Sequence, residues 1–578
     1  MSQTSAGSSV HGVRRTTGVR GRGRGHCRGR GRGHGGSDRS DPVAVPYKSY
    51  DDPDVGNPPL AFTPSRLPGI HFGRPLLRNA MTKAVDFFYL FFTVDMINNI
   101  CEHTNSYALE HIFEGHYQSY AKADGSWQDV TPDEIKRVIA LLIYFGLVKV
   151  GIVEKYWSKK SLYHGLWSQA IMGRSRFKAI MAVLHVVDPA TETPGEKLHK
   201  IESFVDYFKS RCLSLYQPRQ NIAIDERMVK SRHRSGIRQY IRDKPTKWGI
   251  KLWVLADSSN GYTVDFDIYI GRAAGRDVSA NGLGYDVVMR LIQPFLRQGY
   301  HLFVDNFYSS VTMFKDLFAQ GTAATGTIME TRKDFPASLK NSKRWARGKE
   351  KGAMRWERDP PCLALQWVDN KVVSLLTTID NANDKVLANR RSRTDGVWRT
   401  KVVSQPKTIS NYNKYMNAVD RSDQMLATNN VSRKSMKWWK TLFFHLIDIA
   451  IVNGFILFKE HQAKNPDNKA LHRTAQYSQA DFREEIVRQL CDLPEYDVPP
   501  VNTTVKRVPP PDEFDTVHIP EFSDARRNCV VCRKQRRVLL KVSTFCSAPQ
   551  CRGKFMHLIK GRNCFKEFHS RKYMYHYP

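Results

Sequence analysis

Apolar residues first fall into a regular pattern near residue 83. Val85, Phe88, Leu90, Phe91, Val94, Ile97 and Ile100 return at three- and four-residue steps, which predicts a helix with one buried face. Thr131-Pro132-Asp133-Glu134 reads as a helix start: a threonine cap, a proline in the first turn, and acids at the positive end of the dipole. The apolar run over residues 139–148 continues that helix, and residues 177–184 predict another. Residues 81–215 are therefore expected to form a helical domain.

From about residue 222 the period shortens to that of strands. Residues 251–257 form a short apolar run ending in Asp257, Asn260-Gly261 is a hairpin signal, and residues 262–270 alternate. His301-Leu302-Phe303-Val304 predicts a strand ending in Asp305. Turns and short strands fill residues 340–405, and helical spacing returns over 416–429 and 437–459. The longest apolar run, 442–458, is broken by His445, Asp448, Asn453 and Gly454, so it reads as a buried helix and not a membrane span. Three stretches have no such pattern. Residues 1–50 repeat Arg-Gly, and the tail is expected to be disordered; 51–80 are a proline-containing linker; 495–525 are a Pro-rich, acidic linker.

Composition adds a partner. The 578 residues suggest several domains, and their 41% apolar content suffices for real cores. The net charge is +33, and setting aside the eight arginines of the first 36 residues leaves +25. Such a surface attracts polyanions through counterion release, and double-stranded DNA is the expected partner. A basic surface without a specific partner is the plainer alternative. The Arg-Gly tail suits RNA or DNA backbone, or is simply solvated. The helical domain then reads as a DNA-binding or dimerisation unit, the whole as a homodimer without a membrane association.

Five of the ten cysteines, Cys529, Cys532, Cys546, Cys551 and Cys564, crowd into the last 50 residues. No apolar stretch opens the chain, so a reducing compartment and a metal fit better than disulfides. With His557 and His569 they make seven ligands in interleaved pairs over 526–578, which predicts a cross-braced module binding two Zn²⁺ ions. His576 is a candidate eighth ligand. Arg533, Lys534, Arg536 and Arg537 tilt this module toward DNA and suit nuclear import, so a nuclear location is expected.

Phosphodiester cleavage calls for hard divalent cations held by carboxylates. Asp257 and Asp305 end strands and Asp420 opens a helix, a triplet able to converge; Asp225, Glu226, Asp265 and Asp267 compete with it. Ahead of Asp257 lies a basic stretch, Lys230, Arg232, Arg234, Arg238, Arg242, Lys244 and Lys247, interleaved with Tyr240 and Trp248. These residues suit phosphates and unpaired bases, the plainer reading being a solvated hairpin with Trp248 in the core. Trp438 and Trp439 either touch flipped bases or pack inside a helix layer.

Ile224-Asp225-Glu226, the segment 244–251, Val304-Asp305-Asn306-Phe307-Tyr308-Ser309 and Val419-Asp420-Arg421-Ser422-Asp423-Gln424-Met425 together resemble the piggyBac transposase family, as does the helical continuation 432–453. The resemblance covers about residues 80–570. It implies an α/β multidomain protein with an RNase H-like catalytic core (216–319 and 411–494) interrupted by a β-rich insertion (320–410). It also implies Asp257, Asp305 and Asp420 as catalytic ligands of two Mg²⁺ or Mn²⁺ ions, with Asp423 supporting. Family members often carry Gly-Gly-Val-Asp where this chain has Asn417-Ala418-Val419-Asp420. The implied reaction is cut-and-paste transposition: water attacks each element end, the freed 3′ hydroxyl closes a hairpin, and the reopened end joins a TTAA target. Two other readings stay open, a host-adopted derivative that binds DNA or chromatin without transposing, and an RNA-binding or chromatin adaptor built on the tail and the metal module.

Overall fold

A computed structural model of the chain describes residues 47–73, 79–163, 165–193, 195–242, 244–271, 278–394, 397–493, 518–548, 551 and 554–569. The Arg-Gly tail, most of the second linker and His576 lie outside the described residues.

The helical region holds α1 (Ala84–Tyr89), α2 (Val94–Phe113), α3 (Pro132–Leu147), α4 (Arg174–Val183) and α5 (Glu202–Leu215). The expected start of α3 is present: the Thr131 hydroxyl accepts from the Glu134 N–H, and the Glu134 carboxylate accepts from the Thr131 N–H. Two otherwise orphaned donors are thereby satisfied at one helix end.

Nine strands form one mixed sheet. They are β1 (Asn221–Lys230), β2 (Arg238–Tyr240), β3 (Trp248–Asp257), β4 (Thr263–Ile268), β5 (His301–Val304), β6 (Ala323–Thr327), β7 (Met354–Asp359), β8 (Cys362–Val368) and β9 (Val372–Thr377). The order is β2-β3-β1-β5-β6-β9-β8-β7, with β4 also on β3. β1 is antiparallel to β3 and parallel to β5, and β5 is parallel to β6. β6 begins the stretch expected as an insertion, yet it continues the sheet, and β7–β9 extend it further. A separate two-stranded ribbon follows, β10 (Lys385–Thr394) with β11 (Val397–Pro406).

Helices α6 (Leu283–Ile292) and α7 (Val311–Ala319) link strands of the sheet, while α8 (Lys407–Tyr415), α9 (Ala418–Ala427), α10 (Trp439–Lys464) and α11 (Gln479–Leu490) follow the ribbon. Among the described residues α10 alone is long and apolar enough to cross a membrane, and it is buried almost all round. A helix apolar on every side belongs in the centre of a core. Two of its interior polar residues are paired: Asp448 accepts from Arg483 and from the Val431 N–H, and Asn453 bonds both backbone groups of Thr263. The helical layer, the sheet and α10 share one apolar core.

Residues 47–73 run as an extended strap over this body. Asp54 pairs with Arg358 of β7 in a buried salt bridge, and Thr63 N–H donates to Gln298. The strap passes so close to Gly299 that an added Cβ would lie 2.0 Å from the Ala61 carbonyl oxygen. Residues 518–569 form a small unit with its own core, built on β12 (Pro520–Asn528), β13 (Lys541–Cys546), α12 (Val530–Gln535) and α13 (Cys564–Phe568).

Candidate acidic centre and metal module

The acidic centre grows from the parallel pairing of β1 and β5. Ile224 lies beside Val304, so Asp225 and Asp305 come next at neighbouring positions. Asp305 turns the chain out of β5: its Oδ1 accepts from the Phe307 N–H at 2.9 Å, and its carbonyl accepts from the Ser309 hydroxyl. Asp420 comes from the first turn of α9, which packs on β1. Burial pushes the Asp225 carboxyl up to about 6; Lys244 and the Glu226 N–H oppose this, and Asp305 and Asp420 add to it. Burial also raises Asp305, with a further push from Glu226 and opposition from Phe307 and Lys244. Asp305 and Asp420 thus act electrostatically on Asp225, a grouping of acids that a hard divalent cation relieves.

The structure brings Asp305 and Asp420 together with Asp225, and leaves Asp257 out. Asp257 stands opposite Ile222, three rows before Asp225 on β1, or about 10 Å along the strand at ~3.3 Å per residue. It is fully buried and already saturated. Oδ2 accepts from the Tyr216 hydroxyl and the Arg219 N–H at 2.9 and 2.8 Å; Oδ1 accepts from the N–H and hydroxyl of Ser259 at 2.7 and 2.6 Å. Asp257 is the brace of the hairpin at Gly261, where a positive φ of 81° suits glycine. That hairpin in turn receives α9, since Arg421 donates to the Ser259 carbonyl. The strand end at Asp257 misled the sequence reading.

Neighbouring groups fix this arrangement. Arg227, two positions from Asp225 on the same face, is buried and donates to Asp423 and to the Ser422 hydroxyl, tying α9 to β1. Glu226 is engaged by Lys251. Lys244 turns inward and donates to the Glu226 carbonyl at 3.2 Å. A cleft of about 780 Å³ opens here, lined by Glu226, Lys230, Lys244, Asp420 and Asp423 among others.

Of the remaining basic stretch, Lys230, Arg232, Arg234, Arg242 and Lys247 are exposed and Arg238 is half-buried. Trp248 is not in the core: it is 48% exposed, its ring 4.8 Å from that of Tyr240, with the Arg238 guanidinium 4.4 Å over it. Trp438 is partly buried and lines a second cleft with Tyr107, Lys200, Arg234 and Lys437. Trp439 is 1% exposed and packs on Phe443 and His185, so it is a core residue and cannot reach a base.

In the C-terminal unit two tetrads form, Cys529, Cys532, His557 and Cys564, and His518, Cys546, Cys551 and His569. The eighth member of the two tetrads is thus His518, inside what reads as linker, where an isolated histidine gives no spacing signal. Tetrahedral bonds of ~2.3 Å to sulfur and ~2.0 Å to nitrogen require S–S edges of about 3.8 Å and S–N edges of about 3.5 Å. Cys532 and Cys564 sulfurs are 3.7 Å apart; Cys532 to His557 is 3.5 Å, Cys551 to His569 3.5 Å, and His518 to Cys546 3.3 Å. The residues fit a metal ion in each tetrad. Arg536 donates to the sulfurs of Cys532 and Cys564 and pairs with Glu567.

Comparison with known proteins agrees with this architecture. The family model described as Transposase IS4 matches residues 83–455, more than half of the chain. The chain belongs to this transposase family, among its piggyBac members. Human piggyBac transposable element-derived protein 3 is 27% identical over 354 residues, covering 60% of this chain and 58% of the relative. Human piggyBac transposable element-derived protein 5 is 24% identical over 431 residues, 71% of this chain and 76% of the relative. The chain thus spans less than two thirds of the first of these relatives. A cryo-EM structure of a piggyBac transposase synaptic complex with hairpin DNA superposes with a TM-score of 0.60 at 24% identity, covering 74% of this chain and 83% of that one, a likeness of fold.

Proposed function

We propose that this protein is a piggyBac-type DNA transposase whose RNase H-like core cuts and joins DNA at TTAA targets, with Asp225, Asp305 and Asp420 holding two Mg²⁺ or Mn²⁺ ions. The observation that carries the reading is the grouping of these three carboxylates from the middle of β1, the end of the parallel strand β5 and the first turn of α9. The strand sequence β1, β3, β4, β5, β6, three antiparallel and two parallel, supports the RNase H-like assignment. Bound divalent ions supply an activated water and a stabilised leaving oxygen. The chain's own groups do the rest. Lys244 offers its charge at the cleft to a phosphate, Arg227 and Asp423 hold α9 so that Asp420 faces Asp225, and the exposed arginines and lysines of 230–247 take the flanking duplex. The two tetrads hold Zn²⁺ in a module that recognises element ends. Two copies act together, one at each end, in the nucleus.

The test is strand cleavage of a duplex carrying the element's terminal repeat next to TTAA, with Mg²⁺. Cutting by the native chain and none by Asp225→Asn supports the reading. Tight, end-specific binding without any cutting would instead favour a host-adopted DNA-binding derivative, a reading that the Asn417-Ala418 departure beside Asp420 also suits.

A further inference from the structure

The β10–β11 ribbon belongs to none of the sites above. Its strands pair without a break from Lys385↔Pro406 to Thr394↔Val397. Among the described residues its contacts to the body lie toward the base. Val403 is buried with Ala388 and Trp367, Arg390 stacks on Trp367 and pairs with Asp369, and Lys401 pairs with Glu350. Every residue of 397–402 is exposed, including Val397, Trp398 and Val402, so both faces of β11 meet solvent. An isolated two-stranded ribbon is marginal in water, and a long exposed one is an aggregation hazard unless something covers it.

Charge selects the occupant. Residues 385–406 contain six Lys or Arg and one acid. Residues 340–351 contain six more and one acid. Lys343, Arg344, Arg347 and Lys349 of that loop are exposed, and Gly352 at its end lies against Val403 at the ribbon base. A second copy of so basic a surface would be repelled. We propose that the ribbon is a grip for B-form duplex DNA. The major groove, ~12 Å wide, admits a two-stranded ribbon. The deep, narrow groove of A-form RNA does not. Arg391 and Arg399 meet phosphates, and Trp398 packs its ring on sugar and base edges. Ten residues at ~3.4 Å reach about 34 Å, close to one turn of duplex. β11 runs directly into α8 and then α9, so the ribbon and Asp420 belong to one continuous segment. The purpose of the grip rests on the transposase reading; its existence does not.

The experiment measures binding of the full chain to a labelled random-sequence DNA duplex of about 30 base pairs, wide enough for the ~34 Å reach, and to an RNA duplex of equal length. Arg391→Ala with Arg399→Ala should weaken DNA binding about tenfold and make the log–log salt slope shallower by about 2. Trp398→Ala should weaken it several-fold without altering the slope, and RNA binding should not change. All replaced side chains are exposed, so thermal unfolding should match the native chain. Native affinity and slope in both variants would overturn the proposal, as would an equal loss on RNA or a change confined to oligomeric mass. A native chain that fails to cut end-bearing DNA while ribbon variants still lose duplex affinity would sink the proposed function and leave the ribbon assignment standing.

Discussion

The buried guanidinium of Arg227 donates to the carboxylate of Asp423, joining β1 to α9. Both residues lie close in sequence to an acid of the centre, Asp225 and Asp420. The pair therefore sets how far apart those acids stand. Asp423→Ala should destabilise the protein by roughly 1–3 kcal/mol, because it leaves a buried donor unmet. It should also weaken Mg²⁺ binding without removing a ligand of the centre. Denaturant midpoints and Mg²⁺ titrations on one preparation separate the two effects.

Asp225 and Asp257 should respond in opposite ways. Asp225→Asn should abolish strand cleavage and leave the unfolding temperature unchanged or slightly higher. Asp257→Ala strips four hydrogen bonds from a buried turn and should cost about 3 kcal/mol. Below its lowered unfolding temperature it should still cut within several-fold of the native rate. Loss of cleavage in a demonstrably folded Asp257→Ala protein would return that residue to the site.

A pH dependence follows from the Asp225 carboxyl, pushed up to about 6 mainly by burial. Its folded value exceeds its unfolded one, so the protonated form favours folding. In metal-free protein this contribution is full below about pH 4 and is lost as pH rises through about 6. Mg²⁺ competes with that proton, so its affinity should climb between about pH 5 and 7 and then level off. Asp225→Asn should flatten the metal-free stability profile across this window.

The metal module should bind two Zn²⁺ per chain. His518→Ala should lower the tightly held zinc toward one, and a change at His576 should have no such effect. Because the two tetrads take ligands alternately along the chain, each ion closes a loop containing ligands of the other. Chelator titration should therefore release zinc cooperatively. Metal content by mass spectrometry, before and after the chelator, checks both points.

How much of this was legible beforehand varies with the range of the signal. The helix start at Thr131, the hairpin at Gly261 and the buried helix after Trp439 follow from local residue types, and all three are present. The acidic centre depends on which strand pairs with which. Asp257 and Asp225 are the same residue type and both lie in strands. Only the parallel pairing of β1 with β5 selects Asp225, and pairing across that distance leaves no local trace. His518 was hidden for the same reason: it joins cysteines brought near by the β12–β13 ladder.

The order in which the carboxylates occur along the chain has a bearing on synthesis. Asp225 and Asp305 emerge early and can meet as soon as β1 and β5 pair. Asp420 arrives only after β6 to β9 and the ribbon, and α9 is held in place from behind by α10. A ribosome-bound or prematurely terminated product therefore displays two acids without the third. On the proposed metal-dependent reading, a chain that stops before residue 420 would lack the complete set of acids.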